Sequence, residues 1–228
     1  MFKRFIAPLL SAVVACSVAN VAIAGDCGAC GSSNVTASNG GSGLFSGLAN
    51  FRLGNRANEG YAELTVCLYL PDGRAAFTYA RPEIADNDTF DAGGMRFEVV
   101  TPFEELKVTY EGRVVLLDDP LEMADPRAAF TSNPWVPCHA DLTFRGASPV
   151  HGGEPRADDG SPLPGAENGF ARGHYEQHVS ATGMLTVGGE SWQFSGLGLR
   201  DHSWGPRFWQ APWWYRWLTG NLGPDHGF

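Results

Sequence analysis

Two short segments of this chain concentrate the side chains that move protons or hold ligands. The first is His174-Tyr175-Glu176-Gln177-His178. On a strand, successive side chains alternate faces, so His174, Glu176 and His178 share one face. Such a face is either a solvated surface or a polar strip that orients a ligand or transfers a proton. His174 and His178 lie roughly 13 Å apart along a strand, too far to share one ion. His174 with Glu176 could reach one, but no third ligand is evident, so no metal or other cofactor is expected. The second segment is Gly196-Leu197-Gly198-Leu199-Arg200-Asp201-His202-Ser203-Trp204-Gly205-Pro206-Arg207. Arg200, Asp201, His202 and Arg207 are costly to bury unless paired. Trp204, Trp209, Trp213, Trp214 and Trp217 add large flat surfaces. Either this is an aromatic core with a salt-bridge network at a strand end, or it is a Trp-lined apolar pocket with Asp201 and His202 at its mouth or base.

The rest of the chain supplies strands to carry such sites. Residues 61–70 are rich in Leu, Val and Tyr, Pro71-Asp72-Gly73 is a turn, and 75–79 is the return strand. Residues 106–110 and 114–117 flank Glu111-Gly112 as a second hairpin, with a strand at 96–100 between the two. Asp125-Pro126 opens a short helical turn ending near Phe130. Strands are expected again at 136–144 and 174–180, and 184–187 and 191–194 flank Gly188-Gly189 as a hairpin. No helical period persists beyond two turns. The expected class is all-β, an antiparallel barrel or sandwich with two hairpin-rich halves: 57–145 and 170–228, joined by the polar stretch 146–169. Residues 25–56 are rich in Gly, Ser and Asn and read as a flexible linker.

A basic start (Lys3, Arg4), an apolar run and Ala22-Ile23-Ala24 give residues 1–24 the layout of a signal peptide, so export is expected. Val13-Val14-Ala15-Cys16 is similar to a lipoprotein box, the second choice, which would anchor Cys16 in a membrane. Cys27-Gly28-Ala29-Cys30 reads as a local disulfide, and Cys67 and Cys138 as buried thiols. The net charge of -9 argues against nucleic acid as a partner.

Gly198-Leu199-Arg200-Asp201-His202-Ser203-Trp204-Gly205 resembles the G-x-x-D-H-x-W-G signature of the carotenoid 1,2-hydratase (hydroxyneurosporene synthase) and AttH-like superfamily, and the neighbouring segments are similar to an uncharacterised bacterial branch of it. Those segments are residues 60–70, Ala80-Arg81-Pro82-Glu83-Ile84, Phe97-Glu98-Val99-Val100, Tyr110-Glu111-Gly112, 170–178 and 201–217. The resemblance covers 58–228. It implies two lipocalin-like β halves with a hydrophobic ligand near their junction. In the hydratases, water adds across an isoprenoid double bond. Carried over by motif, Asp201 or His202 would donate the proton and the face of Trp204 would stabilise positive charge. His174, Glu176, His178, Arg207, Trp209, Trp213 and Trp214 would line the ligand site. Family members extend further at both ends. The barrel is therefore expected to be incomplete, with open edges. The hydratases also carry a Tyr and acid pair downstream, for which Asp225 and His226 are the only nearby candidates.

Three functions follow as expectations. The first is binding of an isoprenoid, steroid-like or fatty ligand. The second is a cofactor-independent hydratase, isomerase or cyclase working by acid catalysis on such a ligand. The third is a structural envelope protein that binds no ligand.

Overall fold

The alternating apolar positions become the strands of one antiparallel sheet. The computed structural model describes residues 30–38, 47–163, 171–205, 218–223 and 225–228. The expected signal peptide, the Cys16 anchor and Cys27 lie outside the described residues. The strands are β1 (Cys30–Ser38), β2 (Leu48–Arg56), β3 (Tyr61–Tyr69), β4 (Ala75–Ala80), β5 (Phe90–Ala92), β6 (Met95–Thr101), β7 (Glu105–Leu117), β8 (Trp135–Gly146), β9 (His151–Gly153), β10 (Gly173–Val187) and β11 (Glu190–Trp204). Among the described residues one α-helix, α1 (Pro126–Ser132), precedes β8. Asp125 caps it, its side chain accepting from the Ala128 N–H at 3.1 Å, with Pro126 in the first position. Among the described residues, no helix is long and apolar enough to cross a membrane.

Hydrogen-bonded neighbours follow the order β4-β3-β2-β1-β11-β10-β8-β7-β6-β5, with β9 added beside β10. The sheet curls until β4 meets the C-terminal end of β7 through Ala75–Leu117, Ala76–Leu116 and Phe77–Val115. It is not closed into a regular barrel, because β6 occupies the rest of that edge of β7.

Several expectations need correction. The supposed linker 25–56 contains β1 and β2, and β1 pairs with β2 on one side and β11 on the other. The missed signal is period-two alternation: Ala49, Phe51 and Leu53 are all fully buried in the core. The stretches 57–145 and 170–228 do not pack as two separate halves. Their strands share one sheet through the β8–β10 ladder, and one core cluster draws on residues from Ala49 to Phe194. Glu111-Gly112 is not a turn but the middle of β7, where Gly112 pairs with Cys138. Its glycine answers a packing need, since a Cβ there would collide with the Tyr110 hydroxyl. The polar stretch 146–169 also contributes β9 to the sheet.

Phe51, Leu53, Leu64, Leu142, Phe144, Leu185 and Phe194 fill the concave side. Each such side chain contributes about 1.5–3 kcal/mol by leaving water. A smaller cluster on the opposite face packs Cys67, Phe77, Val115 and Leu117 against Ala129 of α1. There the Phe77 and Phe130 rings meet edge to face at 5.6 Å. Cys67 and Cys138 are buried thiols, and burial pushes the Cys138 thiol up to about 12. Beyond that cluster, Glu63 sits among the guanidiniums of Arg52 (3.3 Å), Arg56 (3.2 Å) and Arg81 (3.5 Å).

Candidate functional site

The two chemistry-bearing segments are the two arms of one hairpin. Gly188 and Gly189, at φ 61° and 94°, form the two-residue turn between β10 and β11. Counting outward from that turn, the ladder sets His174 opposite Ser203, Tyr175 opposite His202, Glu176 opposite Asp201 and Gln177 opposite Arg200. Directly opposed residues share a face. The hairpin therefore has two chemically different sides at its open end.

The outer face carries the acids. His174, Glu176 and Asp201 converge there, with the His174 Nε2 at 3.4 Å from Glu176 Oε1 and at 3.4 Å from Asp201 Oδ2. All three ligand-type atoms lie within 4.8 Å of one another, a spacing a single cation can span. The Nε2 is buried and has no well-formed hydrogen bond among the described residues. Contact with Asp201, then with Glu176, outweighs desolvation and lifts the imidazole to about 9, so it is protonated at neutral pH. Asp201 is the third group that spacing along one strand could not show. The turn at Gly188-Gly189 was the signal that could have found it, because it fixes the register. His178 shares this face but does not join the group. It lies where the C-terminal stretch crosses, with Gly227 against its ring, and its backbone N–H donates to the Ser148 hydroxyl at 3.1 Å.

The inner face, continuous with the core, carries the aromatics. The His202 ring sits 5.3 Å from Tyr175, 5.6 Å from Trp204 and 5.7 Å from Phe90. Phe103 meets Tyr175 edge to face at 5.5 Å. It is a bulky residue held at φ 62°, a conformation that costs energy and persists only where its surroundings impose it. The guanidinium of Arg200 lies 5.4 Å from the Tyr175 ring centroid. Arg200 is only 7% exposed, has no carboxylate partner among the described residues, and leaves its Nε without a hydrogen bond. Gln177, opposite it, donates to the Phe103 and Ser148 carbonyls at 2.8 and 3.0 Å while its Oε1 is left over. Burial pushes the Tyr175 phenol up, against the pull of Arg200. Trp204 is held from the side: its indole N–H donates to Glu154 at 3.1 Å, and Glu154 pairs with Arg172 at 3.2 Å.

The three residues expected to be catalytic, Asp201, His202 and Trp204, are therefore divided by the sheet. His202 and Trp204 share the aromatic face, while Asp201 points to the other side with His174 and Glu176. Adjacent residues of a strand cannot both reach one atom on one face. Arg207, Trp209, Trp213 and Trp214 lie outside the described residues. Tyr175, Phe90 and Phe103 belong to the aromatic cluster; Tyr175 lies inside the first segment but on its other face, and Phe90 and Phe103 carry no motif.

A family model described as a domain of unknown function (DUF7064) matches residues 46–228. The chain belongs to this family. The DUF7064 match takes in β2 through β11, and hence both faces of the hairpin, and leaves out β1. A search of curated proteins finds no match.

Proposed function

We propose that this DUF7064 chain binds an amphipathic, fatty or isoprenoid-type ligand bearing an anionic group. The apolar part lies against the Tyr175–His202–Trp204 aromatics and the anion pairs with Arg200. The observation that carries this reading is the Arg200 guanidinium, which no carboxylate among the described residues neutralises. A cation 93% withdrawn from solvent, stacked on an aromatic ring and without a carboxylate partner among the described residues, is costly unless a counter-charge arrives. Guanidinium is also the side chain best matched to a carboxylate. The strained Phe103 beside Tyr175 and the spare Gln177 Oε1 support the same spot. So does the resemblance of 198–205 to a superfamily with hydrophobic ligands. Binding is favoured over acid-catalysed hydration because Asp201 and His202 face opposite ways.

The test is titration of the full chain with oleate and with oleyl alcohol, following Trp fluorescence and calorimetric heat. Oleate should bind saturably and about tenfold or more tighter than the alcohol, the value of one charge-assisted contact. Arg200→Gln should abolish the difference. Equal affinity for acid and alcohol, or no saturable binding to a cooperatively folded protein, overturns the proposal.

A further inference from the structure

The outer face of the hairpin is independent of that ligand site, and its chemistry is different. We propose that His174, Glu176 and Asp201 form a binding site for one divalent transition-metal ion of the zinc or manganese type. Three features on this face carry it.

The first is donor geometry. Bonds of about 2.0–2.1 Å in a tetrahedral zinc site place neighbouring ligand atoms ~3.3–3.4 Å apart. The His174 Nε2 already stands 3.4 Å from one oxygen of each carboxylate. That separation is long for a charge-assisted hydrogen bond, which closes to about 2.7–2.9 Å. The atoms are thus spaced for an ion between them more than for each other. The second feature is availability. Neither carboxylate has another hydrogen bond or ion pair among the described residues, and the Nε2 is buried with no well-formed bond. The third is rigidity. The three residues sit on neighbouring strands of a continuous ladder, Glu176 directly opposite Asp201 and His174 two residues along. Little ordering of the chain is needed on binding.

The donor set also selects the ion. One imidazole and two carboxylates suit zinc, manganese or iron(II), whereas calcium takes six to eight oxygens, more than this group offers. Two carboxylates neutralise a divalent charge. Three protein ligands leave coordination positions open for water or a small anion. Without the ion, the imidazolium form of His174 holds the two acids together. Binding displaces that proton to the buffer.

The experiment is calorimetric titration of the full, chelator-stripped chain with zinc chloride, manganese chloride and calcium chloride in turn. It is paired with imidazole resonances of histidine-labelled protein. One equivalent of zinc should bind at micromolar concentration or below, calcium at least tenfold more weakly, and the His174 resonance should move. Glu176→Gln and Asp201→Asn should each weaken zinc at least tenfold. Because Asp201→Asn also removes a contact within the sheet, Glu176→Gln, at a half-exposed position, is the variant that decides if the other does not fold. The exposed pair His139–Glu111, in contact at 2.6 Å, is a second place where zinc could settle. If His139→Gln removes the binding, or the Glu176 variant retains it, or zinc does not bind at all, the proposal fails.

Discussion

Glu63 is the one buried acid among the described residues, and three guanidiniums surround it. Burial alone would raise its pKa, but Arg52 and Arg56 outweigh burial and hold it below the ordinary 4.5. A depressed carboxyl contributes stability that is present above the ordinary value and lost as pH falls through the lower folded value. Urea unfolding should therefore show stability falling on the acid side of 4.5. Glu63→Gln should cost about 1–3 kcal/mol at pH 7, because it leaves partly buried cations without their shared acid, and should flatten that acid limb. An unchanged acid limb in the variant would assign the loss elsewhere. At this scale the sequence was legible only along single strands. The shared face of His174, Glu176 and His178 follows from alternation, but Asp201 joins His174 and Glu176 across a ladder, and the same alternation on β11 turns His202 away from Asp201.

Most strands were visible as elements because alternation and turn chemistry agree locally. Residues 61–80 are the clearest case, where Pro71-Asp72-Gly73 separates two apolar runs that became β3 and β4. Glycine is the ambiguous residue, because it marks either a turn or a close approach. Glu111-Gly112 has the composition of a turn, yet Gly112 is a strand residue under Tyr110. Gly183 is similar: it sits inside β10 at φ 150°, and a Cβ there would strike the Asp141 carbonyl of β8. Gly189, also at positive φ, faces open space. Gly183→Ala should thus destabilise by about 2 kcal/mol or more, and Gly189→Ala by about 1 kcal/mol, the cost of backbone strain alone. Denaturant midpoints of the two variants would check this, and equal losses would mean that β8 and β10 are not in close approach at Gly183.

For the molecule as a whole, the least legible feature was β1. Its sequence, Cys-Gly-Ser-Ser-Asn-Val-Thr-Ala-Ser, has linker composition, yet its backbone joins β2 to β11. Nothing in composition reveals that this backbone fills a place in the ladder between β2 and β11. A chain beginning at residue 47 should leave the facing edges of β2 and β11 unpaired and so self-associate and melt earlier. Sedimentation and thermal unfolding would show this, and a monomer of unchanged melting temperature would refute a structural role for β1. The β10–β11 hairpin has the opposite character, since its two faces depend on a count of residues. A slip of one residue between its arms would carry Asp201 in among the rings and set His202 among the acids, with every side chain kept. A slip of two would restore both faces with new partners. The chemistry of each surface is thus protected by the parity of the distance to Gly188-Gly189, so odd changes in the length of either arm should be far less tolerated than even ones, however conservative the inserted residue.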